Sequence, residues 1–263
     1  MSQAQAITGC RPGDIAKFAF LCGDPARVER IASDWKDVRW VCRVREYTIA
    51  TGWLGGVEMT AASTGICAPS TAIVVEELAH LGARTFIRIG NSGGLAPALE
   101  LGDLVVTTAA IRDDGTSRSY VVPEFPAASH FEVTQALVSA AERTPARCHS
   151  GITWSFDAFY ARNASVDAEG QYRSMGYGNY WPSHLEDRIR DIQATGALNC
   201  EMESGVLLTL AGLFGLRAGC ICVVSDRTPW PGPASIDLDR NMDQCIEVAG
   251  AAMLELASKS VTD

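Results

Sequence analysis

Two arginines beside glycine turns and an acidic pair at the mouth of an apolar run are the groups whose types and spacing most directly imply chemistry. Arg27 closes the stretch Gly23-Asp24-Pro25-Ala26-Arg27, and Arg88 stands just before Gly90-Asn91-Ser92-Gly93-Gly94. A guanidinium presents a planar fork of donors that suits phosphate or carboxylate, and glycine lets an oxyanion approach main-chain N–H groups with no Cβ in the way. Such turns describe an anion site. The acidic pair is Glu201-Met202-Glu203-Ser204, directly ahead of Gly205-Val206-Leu207-Leu208-Thr209-Leu210. Carboxylates buried there alone would be costly, so they either start a helix, whose positive end favours Glu, or are committed to hydroxyls, cations or a ligand. Residue type leaves both readings open.

The elements that must position these groups alternate along the chain. Apolar strand candidates run over Phe18 to Leu21, Thr85 to Ile89, Leu104 to Thr107 and Gly219 to Val224. Helical apolar spacing covers Ser70 to Leu81, Phe131 to Glu142, Ser204 to Phe214 and Asp237 to Ala257. The alternation predicts an α/β fold: a single domain over residues 1–263, three layers α/β/α with a central mixed β-sheet. Both arginine turns then lie at strand tips, where open α/β sheets bind ligands. Residues 161–191 differ in character. They are polar, rich in Gly, Tyr, Arg and Asn, and weak in periodicity, which marks a lid or specificity region.

The bulk numbers narrow the class. With 263 residues, 47% of them hydrophobic, the chain can bury one large core. A formal net charge of −9 argues against nucleic acid or an anionic membrane as partner, so any bound anion must be held by a few placed arginines. Neither a basic, apolar leader nor an apolar run of spanning length occurs in the sequence, and the expected location is the cytoplasm. Nine scattered cysteines, with no Cys-x-x-Cys and no histidine cluster nearby, read as reduced structural thiols rather than a disulfide frame or a zinc site.

Further segments are short individually but specific in this order. They are Gly23-Asp24-Pro25-Ala26-Arg27-Val28, Arg45-Glu46-Tyr47-Thr48, Ser63 to Thr71, Arg84 to Gly90, Leu101-Gly102-Asp103 and Pro123-Glu124-Phe125-Pro126. Gly170-Gln171-Tyr172-Arg173, Glu201-Met202-Glu203-Ser204 and Gly215 to Gly219 complete the set. Nearly the whole chain thereby resembles the hexameric nucleoside phosphorylases, and within that family the uridine branch.

The resemblance implies phosphorolysis without an organic cofactor: inorganic phosphate attacks the anomeric carbon of a nucleoside through an oxocarbenium-like transition state, releasing the base and ribose 1-phosphate. It implies that Gly23, Arg27, Arg88 and Asn91 hold phosphate, with Arg45 reaching in from a neighbouring subunit of a dimer-based homohexamer. Glu203, with Met202 and Glu201, is expected to grip the ribose and stabilise its developing positive charge. Gln171 and Arg173 would read the uracil edge and meet its negative charge as it leaves, while Phe159 packs on the base or sugar and Ser92 and Gly93 form the floor. Arg88, Glu203, Arg173 and Gln171 are thus the expected catalytic residues. Glu46, Ile66 and Ser70 match positions that hold a monovalent cation between subunits, although a Glu beside Arg45 is equally explained as its ion-pair partner.

The chain also departs from the family pattern. The stretch between Phe159 and Gln171 is long, Asn91 replaces a threonine, and the amino-terminal histidine expected at the 5′-hydroxyl is missing, with Gln5 its nearest positional substitute. Val224-Ser225-Asp226 resembles the Ser-Asp pair of the purine branch, where the acid protonates the purine imidazole nitrogen, whereas Arg227-Thr228 continues the uridine pattern. Two alternatives follow: a purine nucleoside phosphorylase using Asp226 as general acid, and a hydrolytic nucleosidase. The arginines favour a phosphorylase over the latter, because a hydrolase needs no anion cradle.

Overall fold

A computed structural model describes residues 4–232 and 235–259. The first half contains β1 (Phe18–Cys22), α1 (Pro25–Ile31), β2 (Lys36–Val44), β3 (Tyr47–Leu54), β4 (Val57–Ser63), α2 (Ala68–His80), β5 (Thr85–Gly94), β6 (Leu104–Asp113), α3 (Ser117–Tyr120), β7 (Ala127–Ala128) and α4 (Phe131–Ala141). The second half contains β8 (Cys148–Phe156), α5 (Phe159–Arg162), β9 (Ala164–Val166), β10 (Tyr172–Ser174), α6 (Leu185–Ala194), β11 (Asn199–Glu201), α7 (Ser204–Phe214), β12 (Arg217–Arg227), β13 (Trp230–Pro231) and α8 (Met242–Lys259).

The expected three layers are present. β1 is buried along its whole length because parallel partners flank it, β4 on one side and β5 on the other. One face of the sheet packs the apolar sides of α1, α4 and α8 through Val28, Val133, Leu137, Val248 and Met253. The other face takes α2 and α7 through Val74, Val75, Leu78, Val206 and Leu207. α7 is buried on nearly every side, which its uninterrupted apolar run requires, and Gly215 at φ 65° ends it in the left-handed conformation.

The sheet is mixed and ten-stranded, in the order β11-β8-β6-β12-β5-β1-β4-β3-β2, with β7 on β6. β5 has a further partner. Its tip pairs antiparallel with β11, Asn199 opposite Gly94 and Cys200 opposite Gly93, so β11, β8, β6, β12 and β5 close into a ring. The closure carries the residues after β11 to the tip of β5. Gly93 permits this approach: a Cβ there would lie 2.6 Å from Thr228 Oγ1 and 3.2 Å from Cys200 Sγ.

Within residues 161–191 the structure differs from the irregular segment expected. It contains the end of α5, strands β9 and β10, a short 3₁₀ turn at Tyr177–Asn179 and most of α6. α6 buries Leu185, Ile189 and Ile192 against Trp154 and Phe156. β9 and β10 form a separate three-stranded sheet with β13. The carboxyl-terminal helix begins at Met242, later than the sequence pattern indicated, and β2 to β4 and β8 are strands that the apolar runs did not mark.

Candidate active site

Arg88, midway along β5, is 4% exposed and carries the centre of the site. Its Nε donates to Glu201 Oε2 at 3.0 Å and its Nη2 to Glu203 Oε2, while Nη1 is buried with no hydrogen-bond partner. Burial opposes its charge, but the flanking Glu203 and Glu201 outweigh that cost and hold the guanidinium firmly protonated. Burial also pushes the Glu203 carboxyl up; Arg88 pulls it down and Glu201 pushes it up again. A three-group cluster of this kind resists the loss of any one member.

The two carboxylates divide the roles that the sequence left open. Glu201, at the end of β11, braces the start of α7: it accepts from the backbone N–H of Glu203 at 2.9 Å and of Ser204 at 3.0 Å, and from Ser204 Oγ at 2.5 Å. Glu203 faces the other way, across to α2, where its Oε1 accepts from Cys67 N–H at 2.6 Å. Cys67 holds φ at 79°, an unusual left-handed value for a side-chain-bearing residue, and it is fixed there by that bond. Its thiol is pushed up to about 11 by burial, with Glu203 and Asp157 adding to the shift.

The second arginine converges on the same region. Asp24 caps α1 by accepting from Ala26 N–H at 2.9 Å, and Pro25 fits the first helical position, so Arg27 starts from a fixed turn beside half-buried Gly23. Arg27 Nη2 donates to Asn91 Oδ1, and the Asn91 amide in turn donates to the Leu238 carbonyl at 3.2 Å. The fields of Arg27 and Arg88 both reach the Cys22 thiol, which burial nonetheless raises to about 12. The structure therefore brings together Gly23, Arg27, Arg88, Asn91, Glu201 and Glu203. Met202 lies between the two carboxylates, partly buried against the cluster that holds Trp154 and Phe156.

Beyond Gly93, Asp226 is 8% exposed, and a Cβ on Gly93 would lie 3.1 Å from its Oδ2. A bulge at Ser225 in β12 sets Asp226 opposite Gly93. Arg227 does not pair with it; that guanidinium donates to the Leu99 carbonyl. Asp226 accepts from Trp230 Nε1 at 2.6 Å and from Ser225 Oγ at 3.0 Å, and burial raises its pKa against both bonds. The hydroxyl of Ser92 is occupied, donating to Val223 O at 3.1 Å and accepting from Asn199 Nδ2 at 2.9 Å. Phe159 packs its ring on Trp230 at 5.8 Å, and α5 is anchored by Arg162 Nε donating to Asp113 Oδ2 at 2.9 Å.

Gln171 and Arg173 lie outside this buried centre. Both are exposed, Arg173 binds Asp167 Oδ2 through Nε at 2.6 Å, and Asp167 Oδ1 accepts from Gln171 N–H at 2.8 Å. Their link to the site runs through the small sheet. Arg173 and Trp230 both register with Ser165, placing the three in one row. Arg45 is exposed in the β2–β3 turn at φ 53°. Glu46, Ile66 and Ser70 are neighbours: a Cβ on Gly65 would touch Glu46 Cγ at 2.9 Å and Ser70 Oγ at 3.4 Å, and Ser70 Oγ donates to Ile66 O at 3.3 Å. Trp230, the partner of Asp226, is the residue that sequence reasoning missed; only its spacing of four from Asp226 hinted at it.

This arrangement has relatives. The phosphorylase superfamily profile matches residues 17–258. The chain belongs to that superfamily. It is 46% identical to a uridine phosphorylase of Thermococcus kodakarensis over 82% of this chain and 74% of that protein. It is 39% identical to the uridine phosphorylase of Escherichia coli over 92% of each chain. A guanosine phosphorylase of Halorubrum lacusprofundi is 37% identical over 81% of this chain and 79% of its own. Phosphorylases of this family use inorganic phosphate as co-substrate and need no organic cofactor.

Proposed function

We infer that this protein is a pentosyltransferase that cleaves uridine with inorganic phosphate, giving uracil and ribose 1-phosphate. The observation that carries the reading is Arg88: buried, tied to both carboxylates of the acidic pair, and holding an unpartnered Nη1 on the strand that Arg27 also reaches. A buried cation with a spare donor beside a second arginine is an anion cradle, which a phosphorylase needs and a hydrolase does not. The likeness to uridine phosphorylases over most of the chain supplies the base.

The residues take the following roles in this reading. Arg88, Arg27, Asn91 and the Gly23 turn orient phosphate, and Arg45 completes the site from a neighbouring subunit. A phosphate oxygen forms the new bond to the anomeric carbon as the bond to the base breaks, and its electron pair leaves with the base. Glu203, with Met202 and Glu201, grips the ribose and opposes the positive charge that grows on its ring. Phe159, Ser92, Gly93 and Asp226 surround the base, and Gln171 and Arg173 read it when residues 161–191 close as a lid. Glu46, the Ile66 carbonyl and Ser70 offer the all-oxygen set that a monovalent cation takes. A dimer-based homohexamer, a cytoplasmic location and a role in pyrimidine nucleoside salvage belong to the same reading; nine free thiols suit a reducing compartment.

One observation favours a second reading. Asp226 sits at the base floor with a raised pKa, as a general acid for purines would. Base release from uridine, thymidine, inosine and adenosine, with and without phosphate, decides between them. Phosphate-dependent cleavage of uridine above the others is expected. Release without phosphate would overturn the phosphorylase, and inosine cleavage without uridine cleavage would move the reading to the purine branch.

A further inference from the structure

Asp226 is held by groups outside the cluster built around Arg88. Trp230 is 5% exposed, and three parts of the molecule meet at this residue. Its indole N–H donates to Asp226 Oδ2 at 2.6 Å, its ring lies 5.8 Å from that of Phe159 at a tilt of 59°, and its backbone pairs with β9, the strand that registers Arg173. On the other carboxylate oxygen, Ser225 Oγ donates at 3.0 Å. Both donors are neutral groups, so they satisfy the carboxylate without supplying a counter-charge.

The groups facing Asp226 from other elements add none. From β11 comes the Cys200 thiol, which burial and then Asp226 itself push up to about 12, so it stays neutral. From β5 comes the Gly93 backbone, and the neighbouring Arg227 on β12 is turned to Leu99 O. A purine leaves most readily when its imidazole nitrogen takes a proton as the bond to the sugar breaks; uracil has no such nitrogen and needs donors to its carbonyl oxygens. Burial without a counter-charge favours the protonated acid, and the two bonds are what oppose it: a carboxyl whose oxygens both accept from fixed donors is drawn toward the ionised form, which has no proton to give.

We propose that Trp230 is a specificity-determining positioning residue: with Ser225 it locks Asp226 as a hydrogen-bond acceptor at the base floor and so denies purines their general acid. The inference rests on the uridine reading above and gives the Asp226 of this chain a role opposite to that of a purine general acid. It also explains how the purine-like Val224-Ser225-Asp226 can stand in a chain whose relatives include uridine phosphorylases. Trp230 would act through Asp226, not by touching the reacting atoms.

Trp230→Phe keeps an aromatic ring against Phe159 and removes the N–H. The ratio of kcat/KM for inosine to that for uridine should rise roughly tenfold, the size expected when a hydrogen bond to a charged group is lost. The fold rise should be larger at pH 8 than at pH 5.5, because freeing Oδ2 raises the carboxyl pKa further and the gain in protonated fraction is greatest where the wild-type carboxyl is most fully ionised. Ser225→Ala should move the ratio in the same direction by less, and it serves where Trp230→Phe folds poorly. In an Asp226→Ala background, Trp230→Phe should change the ratio no further. An unchanged ratio in both single variants, or an equal change with Asp226 removed, would overturn the proposal while leaving uridine phosphorolysis intact. A wild-type enzyme that prefers inosine would overturn the uridine reading and this inference together.

Discussion

The centre around Arg88 and the small sheet bearing Gln171 and Arg173 both pair arginine with carboxylate, yet they are built on opposite terms. Arg88, Glu201 and Glu203 lie within a closed ring of strands and the start of α7, each tied to at least two others or to backbone N–H groups. Arg173 is exposed on a strand of three residues, and Asp167, partly exposed, follows directly after another. In the first region desolvation makes every bond obligatory; in the second, water can replace any of them. Under the proposed function, phosphate and sugar fall to the rigid region and recognition of the base to the adaptable one.

The sharpest way to break that contrast is to remove Arg88. Arg88→Ala leaves two buried carboxylates facing each other, and the expected loss is about 3–5 kcal/mol of folding stability, the usual result of orphaning a buried charge. Urea denaturation measures it. A loss too small to resolve would mean that water enters the centre freely, and the distinction between the regions would fall. Because Arg88 is also assigned to phosphate, any surviving activity should need far more phosphate but little more uridine; equal increases would count against that role.

Gly93→Ala probes the wall between the regions. The added methyl would meet Thr228 Oγ1 at 2.6 Å and Asp226 Oδ2 at 3.1 Å, so these side chains must shift. Overpacking of this kind costs about 1–3 kcal/mol. Base recognition should suffer more than phosphate use, read as a rise in KM for uridine with KM for phosphate nearly unchanged. A rise in both would show that the tip of β5 moves as one body with Arg88.

The two regions were also unequally legible in the sequence. Buried strands such as Phe18–Cys22 and the helix Ser204–Phe214 announce themselves as apolar runs, and their ends place Arg27, Arg88 and Glu203. β2 escaped because it is mostly exposed and shows no clean alternation. β9 and β10 are too short for any period to register. α6 did carry a signal, Leu185, Ile189 and Ile192 at helical spacing, but five charged residues among them made the stretch read as irregular. The partnership of Trp230 with Asp226 depends on a strand bulge and a turn, which no residue pattern encodes.

Gln171→Ala and Arg173→Ala should behave as the reverse of Arg88→Ala. Neither should shift the melting temperature measurably, since exposed substitutions away from buried partners rarely do. Each should lower kcat/KM for uridine by about tenfold, the value of a hydrogen bond to a charged or desolvating group. Thermal melts alongside uridine kinetics test both at once, and full activity in both variants would remove these residues from base recognition.

The smallest effect concerns Asp167, which organises the exposed pair. Its carboxyl is held below the ordinary carboxylate range, first by the Gln171 backbone N–H and also by Arg173, against a desolvation penalty. A depressed folded pKa means that its contribution is present in full above the unfolded value, near 3.8, and is lost only as the pH falls through the lower folded value. Between pH 5 and 8 the strap from Asp167 to Arg173 should therefore be constant and add no bend to the uridine profile. Asp167→Asn should lower uridine kcat/KM by at most about fivefold, the scale of an exposed ion pair, and by the same factor at every pH in the window. A factor that changed with pH between 5 and 8 would mean that Asp167 titrates there, and that the lid sheet closes over its base with the carboxylate desolvated.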